Sequence, residues 1–295
     1  MANISMELIK KLRDMTQAGV MDAKKALEQN NGDIEASVQW LREKGIAKAA
    51  KKADAVSTEG IIKVLIKEDK GIILEVNSQT DFVATNELFK ELVNDIALTL
   101  IDSAEYDIEK ATKLQLVSGK GTIESACNEL TGKIGEKISL RRFQLLVKES
   151  SQQFAHYEHF NGKTGVLLIL NTKIEEKFGK DVAMHAAAMA PKFLSKDQVD
   201  KEWLANEEKI LKEQTIAEGK PADRAEMIVK GRVNKLLSEV TLLAQQFVKD
   251  PSLTVEQYLK NGGAFAIKYI RYEVGEGIEK KIVDFAAEVA EQMKK

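Results

Sequence analysis

Thr80-Asp81-Phe82-Val83 sets a carboxylate beside an aromatic ring. A rigidly held acid next to a hydrophobic wedge suits a protein that pries at a partner. The ordinary alternative for the same residues is that Asp81 caps a following helix and Phe82 fills a core. Other chemistry is harder to find. Gly162-Lys163-Thr164 imitates the end of a phosphate-binding loop, but Tyr157 stands where its first glycine belongs, and a strand rather than a helix follows. Gly119-Lys120-Gly121-Thr122 has the wrong order, and Gly275-Glu276-Gly277 lacks the third glycine of a dinucleotide fingerprint. His156, His159 and His185, with one cysteine and no His-Glu-x-x-His, make no metal set. No pattern pairs a nucleophile with a base. The residues point to binding rather than to an enzyme, and no cofactor or metal is expected.

The elements that would position the tetrapeptide are a strand pair and a helix. Gly60-Ile61-Ile62-Lys63-Val64-Leu65-Ile66-Lys67 and Gly71-Ile72-Ile73-Leu74-Glu75-Val76-Asn77 read as strands joined across Glu68-Asp69-Lys70. A helix follows with Leu88, Leu92, Ile96 and Leu100 in register, and Ile138, Leu140, Leu145 and Val147 predict a third strand. Before them, Leu8, Leu12 and Met15 mark one helix stopping near Gly19, and Ala23 and Leu27 mark a second ending at Asn30-Asn31-Gly32. Asp33 caps a third, striped by Ile34, Val38 and Leu41 and closed by Gly45. Such a three-helix module is too small to house an enzyme site. Residues 47–56 read as a linker compatible with helix. A second round gives a strand at Gly165 to Leu170, a helix from Val182 to Ala190 and a late strand from Ile267 to Val274. Between the last two, Val199 to Leu243 reads as an antiparallel helical hairpin broken at Gly219-Lys220-Pro221. A hairpin of that kind makes contacts rather than chemistry.

The 295 residues, 44% of them hydrophobic, suffice for two domains or one elaborated domain. Lys and Arg total 44 against 46 Asp and Glu, a formal charge of −2, so the overall balance gives no electrostatic case for nucleic acid or a membrane. Cys127 is the only cysteine and excludes an internal disulfide. No apolar run approaches the roughly 18 residues of a spanning helix, and the start leads straight into a charged amphipathic segment, so the expected location is cytoplasmic.

Several separate motifs, in order, resemble bacterial elongation factor Ts, the guanine-nucleotide exchange factor for elongation factor Tu. They are Thr16 through Leu27, Asn31-Gly32-Asp33-Ile34, and Gly71 through Ala84, which contains Asn77-Ser78-Gln79-Thr80-Asp81-Phe82-Val83. Farther along come Arg141-Arg142-Phe143, Ala183-Met184-His185, Gly219-Lys220-Pro221 and Glu273 through Lys280. The resemblance implies an α+β protein. Its parts are a ubiquitin-associated-like three-helix domain at 1–46, the linker at 47–56, and a core of two similar antiparallel sheet-plus-helix subdomains. The first subdomain is expected at 57–149, the second at 150–198 and 251–277, with an inserted coiled-coil hairpin at 199–250 and a C-terminal helical module at 278–295.

Carried over residue by residue, the magnesium-dislocating segment of the family falls on Thr80, Asp81, Phe82 and Val83, with Phe82 as the intruding ring. Arg13, Val20, Met21 and Lys24 match the face that meets the partner's nucleotide-binding domain, and His159 matches a contact of the second subdomain. Three positions depart from the pattern. Val20 stands where methionine is common, Gln17 where glycine is usual, and Glu158-His159-Phe160-Asn161-Gly162 lacks the glycine pair after histidine. The implied partner is elongation factor Tu, GDP-bound or nucleotide-free, with no direct binding of nucleotide or nucleic acid by this chain. The rival expectations are an RNA-associated chaperone using the Lys44 to Lys52 segment and the hairpin's basic residues against phosphates, and an intrinsic GTPase, which lacks its phosphate loop.

Overall fold

The computed structural model describes residues 4–16, 18–219 and 222–279. Gln17, Lys220, Pro221 and most of the expected C-terminal module, from residue 280 on, lie outside the described residues. The chain divides into two compact units, one comprising Met1–Lys63, Leu74–Gln144 and Glu273–Lys295, the other Val64–Ile73 and Leu145–Tyr272.

Three helices open the first unit: α1 (Met6–Thr16), α2 (Val20–Gln29) and α3 (Ile34–Lys51). Ile9, Leu12, Ala23, Ala26 and Leu27 form their core, against which Leu8, Ile34, Val38 and Leu41 pack. Met15, expected on the buried stripe, is exposed instead. The turn after α2 passes through Asn31 (φ 53°) and Gly32 (φ 84°), left-handed geometry that asparagine and glycine tolerate. Asp33 caps α3 by accepting from the Ala36 N–H at 2.9 Å.

Gly45 does not close α3; the helix runs through it to Lys51, so the segment read as a linker is helical for its first residues. The reason is packing. A β-carbon on Gly132 would come within 2.5 Å of the Gly45 Cα, so the two glycines are facing points of close approach between α3 and a later helix.

Strands β1 (Glu59–Lys67) and β2 (Lys70–Ser78) then form the expected hairpin. After it come the short α4 (Asp81–Thr85), α5 (Glu87–Ser103), α6 (Ile108–Ala111), α7 (Ile123–Ile134), which carries Gly132, and β3 (Ser139–Val147). The sheet order is β1-β2-β3. Phe89, Leu92, Val93, Ile96, Leu100 and Ile101 bury one side of α5.

The second unit adds a strand that the sequence reading did not identify, β4 (Gln153–Glu158), paired antiparallel with β5 (Thr164–Leu170) from Gln153↔Leu170 to Glu158↔Gly165. There follow α8 (Glu176–Met189), the hairpin helices α9 (Lys201–Ala217) and α10 (Ala222–Val240), the small strands β6 (Gln246–Phe247) and β7 (Asp250–Thr254), α11 (Val255–Asn261) and β8 (Ala266–Glu273). The second sheet has the order β4-β5-β8. Its core joins Val166, Leu168 and Leu170 to Val182, Ala183 and Ala186 of α8 and to Leu242, Phe247, Val255 and Leu259. The mixed helix-and-sheet architecture is the α+β class expected. Among the described residues no helix is long and apolar enough to cross a membrane.

Candidate partner-binding site

Thr80 ends the run from β2 in an extended conformation (φ −123°, ψ 158°) and precedes α4 as its N-cap residue, without a capping hydrogen bond from its side chain. Glu136 holds it instead: the Thr80 N–H donates to Oε2 at 2.8 Å and the Thr80 hydroxyl to Oε1 at 2.7 Å. Beside this clamp the Lys137 N–H donates to Gln79 Oε1 at 3.0 Å, and the Ser78 hydroxyl donates to the Thr80 carbonyl at 2.9 Å. A carboxylate accepting two hydrogen bonds from one residue fixes both backbone and side chain. The chain direction is set at the residue before Asp81.

What that clamp presents is unequal. Val83 and Ala84 are buried and root α4, whereas Asp81 is exposed and the Phe82 ring is 81% exposed. The core-filling role considered for Phe82 is therefore not what the fold shows; seven residues on, Phe89 is fully buried and fills that role. Asp81 is not the helix cap either. The Thr85 hydroxyl closes the turn on the Phe82 carbonyl at 2.8 Å, and the Asn86 N–H donates to the Val83 carbonyl at 3.0 Å. An acid and a ring on a one-turn helix, rooted on one side and wet on the other, can be pushed into a partner with little of the ordering entropy that a loose loop loses.

Arg13, Val20, Met21 and Lys24 gather at the corner between α1 and α2, and all four are exposed. Arg13 Nε donates to the Ala18 carbonyl at 3.3 Å, tying the corner, and Lys24 pairs with Glu28 at 3.8 Å. Met15 adds to the apolar surface there. A cavity of about 180 Å³ opens in the same unit, lined by Met15, Gly19, Asp22, Val38, Leu41 and Lys133 among others. Asp22 accepts from Lys44 at 2.7 Å and Lys48 at 2.9 Å, and these bonds hold its carboxyl below the usual range. Two lysines of the segment considered for RNA are thus engaged within the protein.

His159 belongs to the second unit, in the turn between β4 and β5. Its Nδ1 lies 2.9 Å from the Tyr157 hydroxyl. Its N–H donates to the Thr164 carbonyl at 2.9 Å, and its carbonyl accepts from the Gly162 N–H at 2.7 Å. The residue is half-buried.

Two residues that sequence reading did not single out hold the first unit's site in place. Glu136 is the clamp just described. Glu75 is fully buried and accepts from Arg141 Nη1 (3.0 and 3.1 Å), Arg142 Nε (2.6 Å), Asn77 Nδ2 (2.9 Å) and the Gly275 N–H (2.8 Å). Burial by itself would raise its pKa, but the Gly275 N–H, Asn77 and the arginines outweigh it and hold the carboxyl below its ordinary value. Arg142 also donates to the Glu273 carbonyl (3.0 Å) and the Glu276 carboxylate (3.1 Å), and Arg141 to the Glu276 carbonyl. Arg141-Arg142 and Glu273 through Glu276, far apart in sequence, thus meet at one acid. The available signal was a lone Glu in the apolar run Ile72-Ile73-Leu74-Glu75-Val76.

Among the described residues no group of three or more His, Cys, Asp or Glu could hold a metal. Burial pushes the Cys127 thiol up to about 12, so it is an inert core group.

The sequence model of the family described as Elongation factor TS matches residues 79–276, about two-thirds of the chain. Elongation factor Ts of Malacoplasma penetrans (strain HF-2) is 48% identical over 294 residues, covering 99% of this chain and 100% of that relative. With the exposed Phe82 edge seated inside the matched span, the chain belongs to the elongation factor Ts family of translation elongation factors.

Proposed function

We propose that this protein binds elongation factor Tu in its GDP form, in the cytoplasm, and promotes exchange of GDP for GTP by disturbing the magnesium and phosphate site of that partner. The observation that carries the reading is the Phe82 ring, 81% exposed beside an exposed carboxylate on a helix whose start is clamped by Glu136. A GTPase holds its nucleotide through backbone donors around the phosphates and through a magnesium ion that neutralises them. Weakening that set is enough to release GDP. Phe82 wedges between helices of the partner and displaces groups that position magnesium, while the α1–α2 corner and His159 grip other surfaces. Contact energy there offsets the distortion. Coupling is reciprocal, so a factor that weakens GDP binding is itself bound less tightly by the GDP-loaded partner, tenfold for each ~1.4 kcal/mol. GTP then refills the empty site and helps release the factor. The chain itself holds no nucleotide in this scheme and acts on its partner's chemistry rather than performing any.

The test is release of a fluorescent GDP analogue from purified elongation factor Tu, with magnesium present, on adding this protein in substoichiometric amounts. Multiple-turnover acceleration is expected, with Phe82→Ala slower by at least about tenfold and unfolding within about 0.5 kcal/mol of the parent, because the ring buries little in the free protein. Equal rates for Phe82→Ala and the parent would remove the wedge.

A further inference from the structure

The chain holds one cysteine and eight methionines, and the fold treats the two kinds of sulfur differently. Cys127 is buried and its thiol is pushed up to about 12, so the thiolate chemistry by which proteins usually sense oxidants is closed to it. Among the described residues the thioethers open to water are Met6, Met15, Met21, Met189 and Met227, and the first three belong to the three-helix module. Met15, 58% exposed, stands one residue before the end of α1, and Met21, 74% exposed, is the second residue of α2, so the two flank one corner. The backbone under them is fixed. The Thr16 hydroxyl donates to the Leu12 carbonyl at 2.7 Å and accepts from the Ala18 N–H at 3.3 Å, and the Ala23 N–H donates to the Gly19 carbonyl at 2.9 Å. Neither methionine is among the residues that form or pack against the module's core.

We infer that Met15 and Met21 form an oxidative modification site that switches off partner binding by this chain. The inference rests on the proposed exchange function, in which the α1–α2 corner grips the GTPase. The reactant is a hydroperoxide. With hydrogen peroxide, a sulfur lone pair attacks one oxygen, an S–O bond forms as the O–O bond breaks, and the proton on the transferred oxygen goes to the departing hydroxide, which leaves as water. Sulfur is oxidised by two electrons and the peroxide reduced by two. In the free protein the change is nearly silent, because the sulfoxide stays in water. At an interface it is not. A thioether is flexible, apolar and polarizable and fills irregular contacts, whereas a sulfoxide carried into the same contact loses its water without a matching donor. Phe82 carries no sulfur, so the loss falls on affinity and not on the rate of nucleotide release in the complex. A dithiol, acting through a methionine sulfoxide reductase, reverses the step: the oxygen leaves as water and the dithiol becomes a disulfide.

The experiment treats the full chain alone with hydrogen peroxide at a concentration that oxidises free methionine, and removes the peroxide. The chain is then titrated against elongation factor Tu carrying the fluorescent GDP analogue. Peptide mapping should find sulfoxide at Met15 and Met21. The half-saturating concentration should rise roughly tenfold or more, with the saturating rate within about twofold of the untreated chain. Sulfoxide reductases with dithiothreitol should restore it. In the double variant Met15→Leu with Met21→Leu, compared with its own untreated form, the peroxide-dependent rise should shrink to within about twofold. An untreated parent that fails to accelerate release overturns the exchange function and this inference with it. A parent that exchanges normally and keeps its half-saturating concentration with both sulfoxides mapped overturns the inference alone. So does a double variant that loses as much on oxidation as the parent does, which would assign the effect to another residue. Thermal unfolding of the oxidised parent should be unchanged; a lowered transition would make the loss one of folding and would equally overturn the site.

Discussion

Among the described residues, each compact unit holds a fully buried titratable side chain in its framework, Glu75 in the first and His185 in the second, and the two are kept in opposite states. In the first, Glu75 stays charged, ringed by two arginines, an asparagine amide and the Gly275 N–H. In the second, His185 stays neutral: its Nδ1 accepts from the Val248 N–H at 3.1 Å, which places the proton on Nε2 facing Gln245 Oε1 at 2.9 Å, and its ring lies 5.8 Å from Phe247. Both recruit a segment distant in sequence, 275 in one case and 245–248 in the other. A buried ion pair gains rigidity at a large desolvation cost and fails badly if one partner is removed, whereas a neutral hydrogen-bonded pair costs less and fails gently. The unit carrying the Phe82 edge uses the rigid solution, which suits the wedge proposed for that edge.

The most severe way to break the contrast is Glu75→Ala. It strands Arg141 and Arg142 beside a cavity and frees the Gly275 N–H, and the expected loss is about 3 kcal/mol, the low end for a broken buried pair because both arginines keep some solvent contact. Chemical denaturation checks it. His185→Asn, which preserves a neutral hydrogen-bonding group, should cost about half as much or less. If the two losses came out equal, charge would not be what distinguishes the units.

A smaller effect sharpens the link from framework to site. Glu136→Ala releases Thr80 without emptying a core, so a loss of about 1–2 kcal/mol in stability is expected. GDP release should nonetheless slow several-fold, since Asp81 and Phe82 lose their fixed origin. Glu136→Gln, which retains an acceptor for the Thr80 N–H, should fall between. An exchange rate unchanged in Glu136→Ala would show that the partner itself orders α4.

Periodicity carried most of the fold. The strands of the first hairpin and α5 follow from apolar spacing that local sequence displays openly, and the helical hairpin from a long charged stretch broken at Gly219-Lys220-Pro221. The exceptions share a cause. Gly45 reads as a helix stop because its neighbour Gly132 lies 87 positions away, and close helix approach leaves no local trace. β4 is not legible locally because Gln153-Phe154-Ala155-His156-Tyr157-Glu158 is a mixed run whose burial comes from β5 and α8. At the candidate site, Asp81 and Phe82 could be singled out as residue types, but not their exposure; Glu136, which decides how they are held, is an ordinary acid in a glycine-lysine turn. Its role arises only when β3 is brought beside β2.

The finest test uses acid. Burial lowers the pKa of His185 below its usual 6.5, with the Gln245 bond acting weakly the other way, so below about pH 6.5 the unfolded chain takes up a proton that the folded chain refuses. Stability from this group is therefore full above 6.5 and falls as pH drops toward the folded value. Glu75 is lowered from 4.5, so its contribution persists through that range and is lost only as pH falls below about 4.5. Hydrogen exchange from pH 7.5 to 4, corrected for intrinsic rates, should show α8 and residues 242–250 losing protection at higher pH than β2 and β3. His185→Asn should flatten the first decline and leave the second in place. Were β2 and β3 to loosen first, the charged network would be the weaker of the two frameworks, and the rigidity assigned to the Phe82 edge would have to come from Glu136 alone.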